Sequence, residues 1–192
     1  MSKFHSNYMI TMKDFVKEGK TILHQATQEV MIPPSEEDKE MLICMLNFLI
    51  NSQDPVLARK YKLRAGVGLS ANQIGVNKRM FAAYLTDEKG KKHEYTLINP
   101  KIVSHSVSFI YLPQGEGCLS VNRDIEGFVP RYERIKVKGY TISGKEIIVK
   151  LSGYPSIVIQ HEIDHLDGIM FYDRINRENP FKLPENTKSL SF

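Results

Sequence analysis

The sequence predicts an α+β protein: antiparallel β-sheets around a buried C-terminal motif helix, with helices near the N-terminus. Three observations predict it. Helical periodicity is confined to the first third of the chain and to one run beginning at Pro155. Between them, from Arg79 onward, the chain breaks into short β-branched and aromatic segments. The resulting order is helices, strands, helix, without the regular alternation of a doubly wound sheet. The chain has 192 residues, 42% hydrophobic and 25% charged, which suffices for one core. Disordered and collagen-like chains are excluded. A single domain over 1–192 is expected, ending in a polar tail over 174–192.

In chain order, Thr11-Met12-Lys13-Asp14 reads as a capping box, with Gly19 as a stop, and predicts a short helix. Pro33-Pro34 breaks the chain. Ser35-Glu36-Glu37-Asp38 is a second capping signature with acids in the first turn. Met41, Leu42, Met45, Leu46 and Leu49 follow at helical spacing, so this helix should run to about Ile50. Asp54-Pro55 starts another short helix, with Asp as cap. Residues 64–77 read as a loop with three glycines. MFAAYL, EYTLIN, KIVSHSVSFIYL and RIKVKGYTI read as strands, and Ser143-Gly144 as the hairpin turn into KEIIVKL. Outward lysines predict an antiparallel sheet with one wet face. Pro155 opens a helix, PSIVIQHEIDHLDG, that Gly168 should stop. IMFYD reads as a strand, and the tail after Arg174 as draped or frayed.

The charge balance, 26 basic against 22 acidic residues for a net +4, is too mild to demand a nucleic acid. The N-terminus shows no apolar run suited to a signal segment, and no membrane span is apparent. Two cysteines, Cys44 and Cys118, exclude a disulfide scaffold and suit a reducing compartment; a cytoplasmic location is expected. Cys44 stands among Met41, Met45 and Leu46 and reads as core.

His161-Glu162-Ile163-Asp164-His165 is an HExxH pattern within a predicted helix. Residues four apart lie about 40° apart around a helix, so both imidazoles can grip one metal ion. Glu162 lies about 60° from His165 and can reach a water beside that ion. This is the arrangement for metal-assisted amide hydrolysis. A chance occurrence on a surface helix is the alternative. The apolar run Ile157-Val158-Ile159 argues instead for a buried helix, where two His and a Glu need partners.

A catalytic tetrahedral site takes three protein ligands. No third His follows in an extended motif, and Glu178 and Glu185 lie in a short, Pro-broken tail. Cys118, in Gly115-Glu116-Gly117-Cys118-Leu119-Ser120, is the better candidate, as a thiolate between glycines and polar residues. Gly66-Val67-Gly68-Leu69-Ser70-Ala71 matches the GxGxxA dinucleotide pattern but lacks a preceding apolar strand, so that reading is rejected. Its glycines would let a substrate backbone approach, with Gln73 as an amide donor. His5, His24, His93 and His105 have no ligand-like spacing and read as surface.

Together, GVGLSANQIG at 66–75, EGCLS at 116–120 and QHEIDHLDG at 160–168 resemble peptide deformylase, in order and spacing. The long segment before the first motif and the extra residues 121–129 resemble the longer type of Gram-positive bacteria. SANQ departs from the AAPQ or AATQ of many members, a change expected to touch loop packing more than chemistry. The resemblance implies removal of the formyl group from the N-terminal formyl-methionine of nascent proteins, releasing formate. It implies Cys118, His161 and His165 as metal ligands and Glu162 as catalytic acid/base. Gln73 and the Leu119 N–H would stabilise the oxyanion. It implies Fe²⁺, replaceable by Zn²⁺, Ni²⁺ or Co²⁺. Val67, Tyr154, Ile157 and Val158 would form the methionine pocket, with Gly68 and Gly117 flanking the peptide. The implied partners are N-formyl-methionyl peptides and, transiently, the ribosome; a monomer is expected. Roles for Glu116 and Asp164 stay open between orienting the histidines and simple salt bridging, and those for Arg123 and Arg131 between pairing with these acids and meeting a substrate carboxylate. The alternatives are a zincin-type endopeptidase on the same helix and a ribosome-associated module with a structural metal.

Overall fold

A computed structural model describes residues 3–191. It contains three helices of more than one turn and eight strands: α1 (Glu36–Gln53), α2 (Pro55–Tyr61), β1 (Gly68–Ser70), β2 (Met80–Thr86), β3 (Lys92–His105), β4 (Phe109–Tyr111), β5 (Arg131–Tyr132), β6 (Arg134–Tyr140), β7 (Glu146–Ser152), α3 (Tyr154–Leu166) and β8 (Thr187–Ser189). Five strands form an antiparallel sheet in the order β1-β2-β3-β6-β7, and three form a small sheet, β5-β4-β8.

The local signals explain the helix boundaries. Ser35 and Asp38 close a reciprocal capping box at the start of α1, and the helix runs one turn past the expected end, to Gln53. There the Asp54 side chain accepts from Val56 N and Leu57 N and starts α2. Pro155 lies in the first turn of α3. Past its end, Gly168 sits at φ +75°, where an added Cβ would fall 2.6 Å from Gln25 N. Glycine alone suits both the left-handed turn and that close approach.

β2 explains how the site is built. Its Met80 and Ala82 pack with α1 residues Met41, Leu42, Met45 and Leu49. The alternate residues Phe81, Ala83 and Leu85 pack with Val158, Ile159, Ile163 and Leu166 of α3. The strand is covered on both faces, hence its unbroken apolar run. β6 and β7 show the expected wet face: Ile135, Val137 and Leu151 point inward, Lys136 and Lys150 outward. α3 is buried nearly all round, and Gln160 ties it to β5 by accepting from Tyr132 N at 2.9 Å and donating to Tyr132 O at 2.9 Å. No single helix among the described residues is long and apolar enough to cross a membrane.

Five sequence readings are corrected. Thr11–Asp14 forms a turn and no helix follows. The Asp14 carboxylate does accept from Thr11 N, but Val16 N donates to Gln73 O and Glu18 N to Ser120 O, so the next amides are tied to distant loops. Within 64–77, Gly68–Ser70 pairs with β2 as a strand. EYTLIN and KIVSH are one strand, β3, continuing through Pro100 with bulges against β6. IMFYD does not form a strand; residues 171–174 make a 3-10 turn, because Asp173 accepts from Met170 N and closes it. The tail is not simply draped: β8 adds to β4, and that one pairing is parallel.

Candidate active site

The site is assembled from three segments, two of which, β1 and α3, lie against β2. α3 carries His161, Glu162 and His165; β1 and the 3-10 turn after it carry Gly68, Ser70 and Gln73; the loop after β4 carries Glu116 to Ser120. The ligand-type atoms of Cys118, His161 and His165 all lie within 4.8 Å of one another. Cys118 Sγ is 3.2 Å from His165 Nε2, which is 3.1 Å from His161 Nε2. His161 Nδ1 faces Glu116 Oε2 at 2.9 Å, so in the neutral ring Nδ1 carries the proton and Nε2 turns a lone pair to the cluster. A thiol and two imidazole nitrogens meeting this way fit a borderline divalent transition-metal ion.

Electrostatics favour the thiolate that such an ion requires. Burial disfavours a Cys118 thiolate, but the adjacent His165 and His161 outweigh it and hold the thiol well below its ordinary value. His161 is buried, which opposes its charged form; contacts with Cys118 and Glu116 raise it well above the imidazole range. Glu116 is buried too, yet Arg131 pulls its carboxyl down to about 2. Arg131 is the hub of a buried network. It holds Glu116 through Nε at 2.8 Å and Nη2 at 2.9 Å, and its Nη1 donates to Asp164, which Arg174 also holds. Arg123 pairs with Glu18 instead.

Glu162 lies apart from the three-atom cluster. Ser70 Oγ donates to its Oε2 at 2.6 Å, and its other flank fills the space beside Gly68. A Cβ at Gly68 would lie 2.2 Å from Glu162 Oε1, so this glycine exists for the carboxylate as well as for any ligand. Burial pushes the Glu162 carboxyl up; His161, His165 and Ser70 pull it down without cancelling that rise.

A cavity of about 290 Å³ opens on these groups. Val67, Gly68, Gln73, Gly117, Cys118, Leu119, Tyr154, Ile157, Val158, His161 and Glu162 line it, and His165 lies wholly buried behind. Gln73 is buried, its Oε1 accepting from Ser70 N and its Nε2 3.4 Å from Cys118 Sγ. The Leu119 N–H has no acceptor among the described residues. His5, His24 and His105 are exposed; His93 is half-buried against Asp87 and Tyr95 rather than simply on the surface. Cys44 is buried, and neither cysteine is in a disulfide.

Residues 12–181 match the family model described as polypeptide deformylase. The chain belongs to the peptide deformylase family. It is 56% identical over 182 residues to "Peptide deformylase 2" of Bacillus anthracis, covering 95% of this chain and 99% of that one. To "Peptide deformylase 2" of Geobacillus stearothermophilus it is 58% identical over 177 residues, covering 92% and 96%. Among solved structures it is similar to peptide deformylase from Thermotoga maritima, with TM-score 0.70 and 28% identity over 88% of this chain and 99% of that one. This deformylase is a metal-dependent hydrolase that removes the formyl group from the N-terminus of nascent proteins. The endopeptidase alternative finds no support in these matches.

Several lining and supporting residues escaped the sequence reading. Leu112 and Arg64 line the cavity, and Ser70 grips Glu162. Within SANQ, the serine thus bonds Glu162 as well as shaping the loop.

Proposed function

We propose that Cys118, His161 and His165 hold Fe²⁺, with Zn²⁺, Ni²⁺ and Co²⁺ as replacements, and that Glu162 is the catalytic acid/base. The observation that carries this is the meeting of the Cys/His/His atoms and the separate Glu162 carboxylate on one cavity wall. When bound, the ion supplies Lewis acidity toward the formyl oxygen and the attacking water. Glu162 takes a proton from that water at its carboxylate and delivers it to the methionine nitrogen as the C–N bond breaks. Its raised affinity for protons suits both halves of that task. Gln73 Nε2 and the unpartnered Leu119 N–H donate to the oxygen that gains charge. Val67, Tyr154, Ile157 and Val158, with Leu112, receive the methionine side chain. Nothing lies within 4 Å of where a Gly117 Cβ would stand, so the peptide backbone can run between Gly117 and Gly68. Glu116 and Arg131 hold His161 in the ligating tautomer.

We also place the enzyme in the cytoplasm, as a monomer meeting nascent chains transiently at the ribosome; its unpaired cysteines and mild positive charge support this. The decisive test is anaerobic purification, metal analysis and formate release from formyl-Met-Ala-Ser. One iron per chain with turnover is expected. Metal retained at full stoichiometry after Cys118→Ala would sink the ligand assignment.

A further inference from the structure

Two cations grip the turn that carries Cys118 and Leu119. Arg64 donates from Nη2 to Cys118 O at 3.2 Å, and from Nη1 to Val121 O at 3.2 Å and Asn122 Oδ1 at 3.0 Å. Lys17 Nζ donates to Leu119 O and Asn122 Oδ1, both at 3.2 Å. Neither cation forms a salt bridge among the described residues. Burial and the neighbouring Arg64 both disfavour the charged form of Lys17. Two like charges held side by side without a carboxylate are costly, so the backbone carbonyls they bind are what keeps them there.

Those carbonyls belong to particular peptide groups. Cys118 O and Leu119 N are one trans peptide, in which C=O and N–H point to opposite sides. Leu119 O and Ser120 N are the next one, and Ser120 N donates to Cys118 Sγ at 3.4 Å. A cation on each carbonyl fixes the plane and polarises the N–H across it. The Leu119 N–H, without an acceptor, belongs to the peptide that Arg64 holds.

We propose that Arg64 is a positioning residue for deformylation, orienting and polarising the Leu119 peptide so that its N–H meets the developing oxyanion. Lys17 does the same for the Ser120 N–H that supports the Cys118 sulfur. The inference rests on the reading of Leu119 N–H as an oxyanion donor. The role calls for a fork that reaches three acceptors, which arginine supplies and lysine does not.

The test compares Arg64→Ala, Arg64→Lys and Gln73→Ala in the metal-loaded enzyme on formyl-Met-Ala-Ser. Losing an oxyanion donor outright costs about 10²–10³ in kcat, so a donor left in place but misaligned should cost about tenfold. For Arg64→Ala we expect that fall with KM little changed, metal content intact, and partial recovery in Arg64→Lys. In ¹⁵N-labelled enzyme loaded with Zn²⁺, the Leu119 amide resonance should move in Arg64→Ala and return part of the way in Arg64→Lys. This readout survives in Arg64→Lys even where the alanine variant folds poorly. An unmoved Leu119 amide, a wild-type kcat, or a loss carried entirely in KM would overturn the proposal; the last would make Arg64 a direct substrate contact. Wild-type kcat in Gln73→Ala would overturn the oxyanion reading beneath it. Loss in Gln73→Ala with none in Arg64→Ala would reject the role of Arg64 alone.

Discussion

Glu162 shows how much one side chain depends on its immediate contacts. Its carboxylate rests against Gly68 and accepts from Ser70. Glu162→Ala should abolish formate release, by about 10²–10⁴ in kcat, while metal analysis shows an unchanged content, since Glu162 is not among the clustered ligand atoms. Gly68→Ala should lower kcat by about 100-fold, because an ångström of displacement at a reacting group has that scale of effect. Ser70→Ala tests a finer point. The serine hydrogen bond lowers the Glu162 carboxyl, which burial has raised. Removing it raises the carboxyl further, so more of Glu162 is protonated at a given pH and the base is lost earlier as pH falls. The acid limb of kcat against pH should shift to higher pH; an unshifted limb would sink this account of Ser70. HExxH and Cys118 were legible from residue type and spacing. The Ser70 contact was not, because it joins residues far apart in the chain, and no local pattern records it.

At the scale of elements, legibility follows where the backbone amides find acceptors. The Ser35–Asp38 and Asp54 caps satisfy their own amides within four residues, so the sequence alone announces them. Thr11–Asp14 has equal local credentials, yet the amides of Val16 and Glu18 go to Gln73 and Ser120. A tertiary contact overrides the propensity. The unbroken apolar run of β2 predicts a strand, but only the structure shows that α1 and α3 cover its two faces. Ser35→Ala should therefore destabilise the fold by about 1 kcal/mol, the usual worth of an N-cap. Urea unfolding would measure it, and a midpoint equal to that of the wild type would mean the cap contributes nothing here.

Across the whole molecule, the chain Glu116–Arg131–Asp164–Arg174, buried up to the exposed Arg174, links the loop of Cys118, β5, α3 and the segment after it. Its charges sum to zero, two carboxylates against two guanidiniums, and Arg131 touches both acids. Burial alone would raise Glu116 and Asp164; Arg131 foremost holds both below their ordinary values. Carboxyls depressed in the folded state contribute stability above the ordinary carboxylate range, and that stability is lost as pH falls, for Glu116 down to about 2. Arg131→Met reverses the sign. Two buried carboxylates then lack their main partner, their protonated forms are favoured, and folding takes up protons. The variant should lose about 3–5 kcal/mol at neutral pH, as for other broken buried pairs. The gap to the wild type should narrow below about pH 4, where the acids are neutral in the unfolded chain too. Urea unfolding of both proteins at pH 7 and at pH 3.5 decides it. A penalty of equal size at both would show that Arg131 acts by packing, and that the network does not couple the metal-facing loop to α3 through charge.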